Sequence, residues 1–243
     1  MYSDCNKQYI LEFGVYSIPY TIVHSDRYSR ICLVFDPSLG ALVKVPLGVG
    51  EHKAHAFVKK NSSWLFKHWK RYERIKMMHK DHLLPLNQRS EVLYLGRSLP
   101  FKVVLGHEGR VLVGFDGERL KIECFDEKEL MRLLDRWYRQ QARAVIHATL
   151  MRLAPLLKIT YEDVLIKDQK TRWGSCSSSG NLSFNWRLIK APMDVLEYVV
   201  VHELAHRKEM NHSQKFWSIV SRYSPDYKKH QKWLKGNVVL LRS

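Results

Sequence analysis

Residues 202–206 read His-Glu-Leu-Ala-His, and His212 follows six positions later. No other stretch restricts the chain's chemistry and geometry so tightly. On a helix, histidines at i and i+4 lie about 40° apart around the axis and roughly 6 Å apart along it, so both imidazoles can reach one ion from the same face. Glu203 is turned about 100° from His202, close enough to act on water at such an ion without ligating it. The arrangement implies a metal-dependent hydrolase, provided the segment is helical and buried.

The surrounding residues meet that condition. Pro192 suits a first helical turn, and Val195, Leu196, Val199 and Val200 supply an apolar face. The helix cannot run on through His212, which would then sit about 240° round and about 9 Å beyond His206, on the wrong side. The chain must therefore turn between Arg207 and Asn211, and Asn211 tolerates a left-handed cap. Ser213 then caps a second helix from near Gln214, with Phe216, Trp217, Ile219 and Val220 facing inward. On this reading His212 is the third ligand, with Glu209, Asp226 and His230 as rivals. The histidine spacing also matches the metzincin pattern. That pattern wants glycine at 209, where this chain has Glu209, and a downstream methionine, and none follows Met210.

A chain of 243 residues with 45% hydrophobic content and seven tryptophans can bury one large core or two modest ones. The start, MYSDCNKQY, does not read as a signal peptide, and no apolar run approaches a membrane span. Cys5, Cys32, Cys124 and Cys176 are scattered without metal-knuckle spacing, so a reduced, cytoplasmic protein with no membrane partner is expected. Cys176 reads as a small buried or capping residue. The net charge of +16 implies an acidic partner. Residues 51–90 hold ten Lys and Arg against three acids, with Trp64, Phe66, Trp69 and Tyr72 interleaved. Two readings stay open: contact with nucleic acid or a nucleotide through a basic face, or an amphipathic helix whose basic side is merely solvated.

The pattern predicts an α+β fold in two parts. Residues 1–125 form a β-rich N-terminal domain containing a long basic helix, and residues 126–243 an α+β catalytic domain carrying the HExxH helix. Strands are expected at Phe13–Val23, Ile31–Phe35 and Ala41–Val45, with a turn through 36–40 and the basic helix over about 51–80. Further strands fall at Val92–Tyr94, Phe101–Leu105, Val111–Phe115 and Leu120–Cys124, with Asp116-Gly117 as a hairpin turn. A long helix from about Asp126 ends before Pro155. Short strands at 159–167 and 181–184 flank a loop over 171–176. Ser224-Pro225 starts a final helix running through Tyr227 and Trp233.

With those residues laid out, the chain resembles the YgjP-like metallopeptidase family. The resemblance is carried by TRWGSCSSSGNLSFNWRLIKAP at 171–192, VVHELAHRKEMNHSQKFW at 200–217, and PDY with WLK at 225–235, and it extends over residues 27–235. It implies a zincin-like catalytic domain related to the SprT and WLM groups. The matching metal ligands are His202, His206 and His212, with Glu203 as catalytic acid/base.

Three neutral imidazoles suit Zn2+, or another divalent transition metal, with a fourth position left for solvent. The leading expectation is a zinc-dependent metallopeptidase acting on a protein or peptide substrate with Glu203 as general base. The second is hydrolysis of an anionic small molecule such as a nucleoside triphosphate, which no Gly-rich phosphate loop or carboxylate cluster supports. The third is a basic nucleic-acid-binding module with a structural metal, which normally wants a fourth protein ligand. For substrate contact the candidates are Arg172, Trp173, Asn185, Trp186 and Tyr223. Arg172, Tyr223, Tyr227 and His230 are candidates for stabilising an oxyanion. The strand around Leu182–Phe184 is expected beside the metal helix, offering its edge to an extended peptide.

Overall fold

The computed structural model describes residues 8–36, 40–78, 84, 86–105 and 111–242. The expected turn through 37–39, the last two residues of the expected basic helix, and Cys5 lie outside them. The chain forms two compact units, Met1–Leu83 with Arg242–Ser243, and Leu84–Leu241. This division lies upstream of the join expected near residue 125. The strands at 91–124 belong with the second unit because Leu99, Phe101, Leu120, Ile122 and Cys124 share one core with Leu130, Trp137 and Ile146. Strand propensity grouped them with the N-terminal strands, whereas burial groups them with the helix that covers their apolar face.

The first unit opens with a hairpin, β1 (Gln8–Phe13) and β2 (Tyr16–Ser25), where the pattern had read a single strand from Phe13. Gly14, at φ 63°, makes the turn. β3 (Cys32–Asp36) and β4 (Gly40–Pro46) complete a sheet of order β1-β2-β4-β3, in which only β2 and β4 are parallel. The basic helix is two helices, α1 (Glu51–Lys60) and α2 (Ser62–Met78). The break is at Asn61, whose side-chain and backbone N–H groups both donate to the Phe57 carbonyl, at 2.8 and 3.1 Å. Ala54, Val58 and Leu65 pack on Ile18, Val43 and Val45. Phe66 stacks on Phe13 and Trp69 meets Tyr16, so these interleaved aromatics form the inner face. Lys59, Lys60, Lys67, Lys70 and Arg71 are exposed, as is Trp64.

In the second unit, β5 (Glu91–Tyr94) and β6 (Arg97–Leu105) form a hairpin, and β7 (Leu112–Phe115) and β8 (Leu120–Cys124) form another, giving the order β5-β6-β8-β7. Asp116 closes the second as expected, its Oδ1 accepting from the backbone of Glu118 and Arg119 at 2.8 Å each. Leu95 and Gly96 turn the first with φ of 48° and 76°. That turn donates from Leu95 to the Ile189 carbonyl (2.7 Å) and from Gly96 to that of Lys190 (3.2 Å). A Cβ on Gly96 would come within 2.8 Å of Pro192, so glycine is needed twice over.

Helix α3 (Glu127–Leu157) begins with a cap closed from both sides, one residue wider than a capping box. Asp126 accepts from the Glu129 N–H, and the Glu129 carboxylate accepts from the Phe125 N–H. It continues past Pro155, where an end was expected: the proline forgoes one bond to the Met151 carbonyl, and the N–H groups of Lys158, a left-handed cap, and of Ile159 still close the last turn. β9 (Val164–Lys167), β10 (Gly174–Cys176) and β11 (Leu182–Asn185) form a sheet of order β10-β11-β9, with β10 inside the stretch expected to be a loop. A 3-10 turn over Trp186–Lys190 leads to α4 (Met193–Ala205). α5 (Gln214–Tyr223), α6 (Tyr227–Gly236) and α7 (Val238–Arg242) follow. Ser224 closes α5, and its carbonyl accepts from Tyr227, so the next helix starts two residues after Pro225. No helix among the described residues is long and apolar enough to cross a membrane.

Lys190 in that 3-10 turn is 5% exposed, with its ammonium 5.0 Å from the Tyr138 ring and 5.6 Å from that of Trp186. Burial, reinforced by the charges of Arg89 and Arg187, pushes its pKa down to about 7 despite those rings. Between that value and 10.5 the unfolded chain holds the proton more tightly than the fold does, so stability rises with pH across the window. Lys190→Met is therefore expected to stabilise the protein by on the order of 1–2 kcal/mol at neutral pH, a gain that shrinks towards pH 10. Urea unfolding of both proteins across the window is the check, and a gain independent of pH would contradict it.

Candidate metal centre

The histidines converge because α4 stops where it does. His206 is its C-cap at φ −62° and ψ −20°, and the N–H groups of Arg207, Lys208 and Glu209 fold back onto the carbonyls of Leu204 and Ala205 at 2.9–3.0 Å. The reversal needs no left-handed residue: Asn211 is not among the positive-φ positions. Its Oδ1 instead accepts from the Ser213 N–H at 3.0 Å, and Ser213 caps α5 by accepting from the Phe216 N–H at 3.3 Å. The helix–turn–helix read from the sequence is present, with a side-chain bond doing what a backbone inversion was expected to do.

This turn brings His212 back over α4. The Nε2 atoms of His202 and His212 are 3.1 Å apart, and a ligand atom from each of His202, His206 and His212 lies within 4.8 Å of the others. Two nitrogens on a tetrahedral zinc sit about 3.3 Å apart, so the spacing suits a single ion. His206 directs Nδ1 at the Glu209 carbonyl (3.2 Å), which holds that nitrogen as a donor and leaves Nε2 for the centre. Tyr198, one turn before His202, has its hydroxyl 3.4 Å from the His202 Nδ1 and bonds Gln231 on α6. Burial, then the neighbouring imidazoles, pushes His202 down to about 3, and burial also lowers His206. Both rings are thus neutral at pH 7, the form a metal ligand requires.

The rival ligands lie elsewhere. His230 pairs with Asp194 at 3.3 Å and meets the Ser224 hydroxyl at 3.4 Å, while Asp226 pairs with Lys229 at 2.7 Å. Glu209 meets the site through its backbone carbonyl. Among the described residues no other group of three potential ligands comes together.

Glu203 is 5% exposed, and burial pushes its pKa up to about 8, against the opposing charge of Arg172. Its carboxylate lies against the backbone of β10: a Cβ on Gly174 would come within 2.5 Å of Oε1. β10 packs on α4 and, among the described residues, pairs only with β11, so it is an outer strand. β11, expected to offer its edge, is the middle strand and has neighbours on both sides. The edge beside the histidines belongs to β10.

Of the substrate-contact candidates, Arg172 is exposed and its charge is felt at Glu203, and Trp173 is half-buried against the core. Asn185 is wholly buried, its Nδ2 donating to the carbonyls of Gln169 and Arg172 (2.7 and 3.3 Å), so it pins the loop that carries Arg172. Trp186 is 3% exposed beneath Arg187 and Arg139 and offers no surface to a substrate. The Tyr223 hydroxyl donates to the Leu156 carbonyl at 3.1 Å, and Tyr227 stacks on Trp217. Sequence reasoning passed over Gly174 and Tyr198. A glycine within an extended stretch marks close backbone approach, and a tyrosine four residues before a candidate ligand shares its helix face.

The family profile of the YgjP-like metallopeptidase domain matches residues 29–237. No curated protein matches the chain. Similar solved structures include the metallopeptidase zymogen of Pyrococcus abyssi abylysin, at 22% identity and a TM-score of 0.35, covering 37% of this chain and 92% of that one. Another is the metallopeptidase zymogen of Methanocaldococcus jannaschii jannalysin, at 21% identity and a TM-score of 0.34, covering 40% and 96%.

Proposed function

The chain belongs to the YgjP-like metallopeptidase family and is a metal-dependent hydrolase; on that premise we propose a zinc peptidase whose ion is held by His202, His206 and His212 and whose general base is Glu203. The observation that carries this reading is the convergence of three imidazoles beside one buried carboxylate. A donor set of three imidazoles suits zinc, and a divalent ion there supplies Lewis acidity that polarises a scissile carbonyl and acidifies water.

The chain's own groups do the rest. Glu203 takes the proton of the attacking water and returns it to the leaving amine; its elevated pKa, which a bound cation would draw back down, keeps the proton exchangeable near neutrality. The open edge of β10 supports an extended peptide by backbone pairing, with Gly174 letting that strand lie flush against Glu203. Among the oxyanion candidates, Arg172 is the one whose charge acts on Glu203, which favours it as the additional donor.

Tyr198 and the Glu209 carbonyl orient two of the ligands from behind. Tyr198→Phe is expected to keep the fold and weaken metal retention by roughly tenfold, as loss of an outer-shell partner usually does. Competition with a chromogenic chelator measures this, and unchanged retention would remove Tyr198 from the site.

The function itself is tested by incubating purified protein, zinc-loaded or chelator-stripped, with a labelled unfolded protein and separately with nucleoside triphosphates. Zinc-dependent appearance of new amino termini is the expected result. Phosphate or pyrophosphate release without peptide cleavage would replace the peptidase reading with the phosphoanhydride one.

A further inference from the structure

Helix α3 bears a groove that the metal centre does not use. It has a volume of about 400 Å3 and is lined by Arg132, Asp135, Arg136, Arg139 and Arg143 of α3 and by Ile166 of β9. Spacings of four, three and four residues place the arginines within about 60° of arc and along about 16 Å of helix. Arg139 is paired, with Asp135 at 3.1 Å and Asp168 at 3.6 Å. Arg132, Arg136 and Arg143 are exposed and make no ion pair among the described residues.

Ile166 on the opposite wall belongs to an edge strand. β9 pairs with β11 on one side and has no strand partner on the other among the described residues. A parallel strand so placed keeps alternate backbone N–H and C=O groups available. A row of uncompensated guanidinium forks beside an open strand edge matches one kind of occupant: extended, anionic and itself a polypeptide.

We propose that this groove docks an acidic, extended segment of a protein partner, with its carboxylates on Arg132, Arg136 and Arg143 and its backbone along β9. A nucleic-acid strand fits less well. The nearby rings that could stack on bases, Trp137, Tyr138 and Trp186, are each 3% exposed. The Asp135 carboxylate also stands among the arginines, where an unbroken phosphate row would meet it but a peptide can present a neutral residue. β9 and β10 are opposite edges of one sheet, so docking does not depend on the peptidase reading and is measured without turnover.

The test uses the full-length Glu203→Gln protein, so that no bond is cut, and fluorescence anisotropy of a short dye-labelled peptide alternating Glu and Ser. A Gln-and-Ser peptide and a single-stranded DNA of similar length are the comparisons. The acidic peptide is expected to bind, and R132Q/R136Q/R143Q to weaken it at least about tenfold. R222Q/K228Q/K232Q removes the same charge from α5 and α6 and is expected to leave binding unchanged. Circular dichroism verifies the fold, and R136E alone carries the test if the triple variant loses its helical spectrum. Equal losses in the two triple variants, no loss in the first, or DNA displacing the peptide from the groove would each overturn the proposal.

Discussion

Glu203→Gln is expected to lower peptide turnover by about 10²-fold or more with metal content and fold unchanged. Glutamine keeps the shape of the side chain and can occupy the same pocket against Gly174, but it cannot accept a proton from water. Because the carboxylate is buried and its pKa raised to about 8, the metal-free fold prefers it protonated. That preference stabilises the fold fully below pH 4.5 and is lost as pH rises towards 8, so the metal-free glutamine variant should lack this decline. Kinetics, metal analysis and pH-dependent unfolding report on the three aspects separately. Turnover within a few-fold of the parent would end the general-base assignment.

His212→Ala is expected to cost the site its metal and, with it, activity. Losing an outer-shell partner typically costs 10–100-fold in affinity, and removing a direct ligand should exceed about 10²-fold. The residue is well suited to the test because it is exposed, lies outside any helix and is not itself part of either core, touching it only where its ring meets Phe216 and Trp217. Metal content after dialysis against a weak chelator is the measurement. Retention of stoichiometric metal and turnover would mean that the third donor comes from elsewhere, and that the turn after α4 has only a structural role.

Much of this centre was legible locally. The apolar period ending at 202–206, the need for a reversal before His212 and the Ser213 cap all follow from side-chain spacing within about ten residues. The details of the reversal were less accessible, since Asn211 can act either through left-handed backbone or through its side chain, and both satisfy the same free backbone groups. In the N-terminal unit the hydrophobic pattern located strands and basic helices, but it ran through Gly14 and Asn61, where local bonds and turn geometry interrupt it. Pro155 misled in the opposite sense: it costs the helix one bond, to the Met151 carbonyl, while the N–H groups of Lys158 and Ile159 still close the last turn on the Pro155 and Ala154 carbonyls.

From sequence alone came the α+β class, the metal-ligating pattern, the candidate base and the excess of positive charge, all properties of neighbouring residues and their periodicity. Only the tertiary structure decided that the strands of 91–124 join the core of α3, that β10 rather than β11 is the outer strand beside Glu203, and that Gly174 meets that carboxylate. It also decided that Trp186 is sealed under two arginines and that Arg132, Arg136 and Arg143 face β9 across a groove. The reason is physical: strand order and burial depend on pairings between segments far apart in the chain, and a short strand's own residues carry no record of which neighbour it will have.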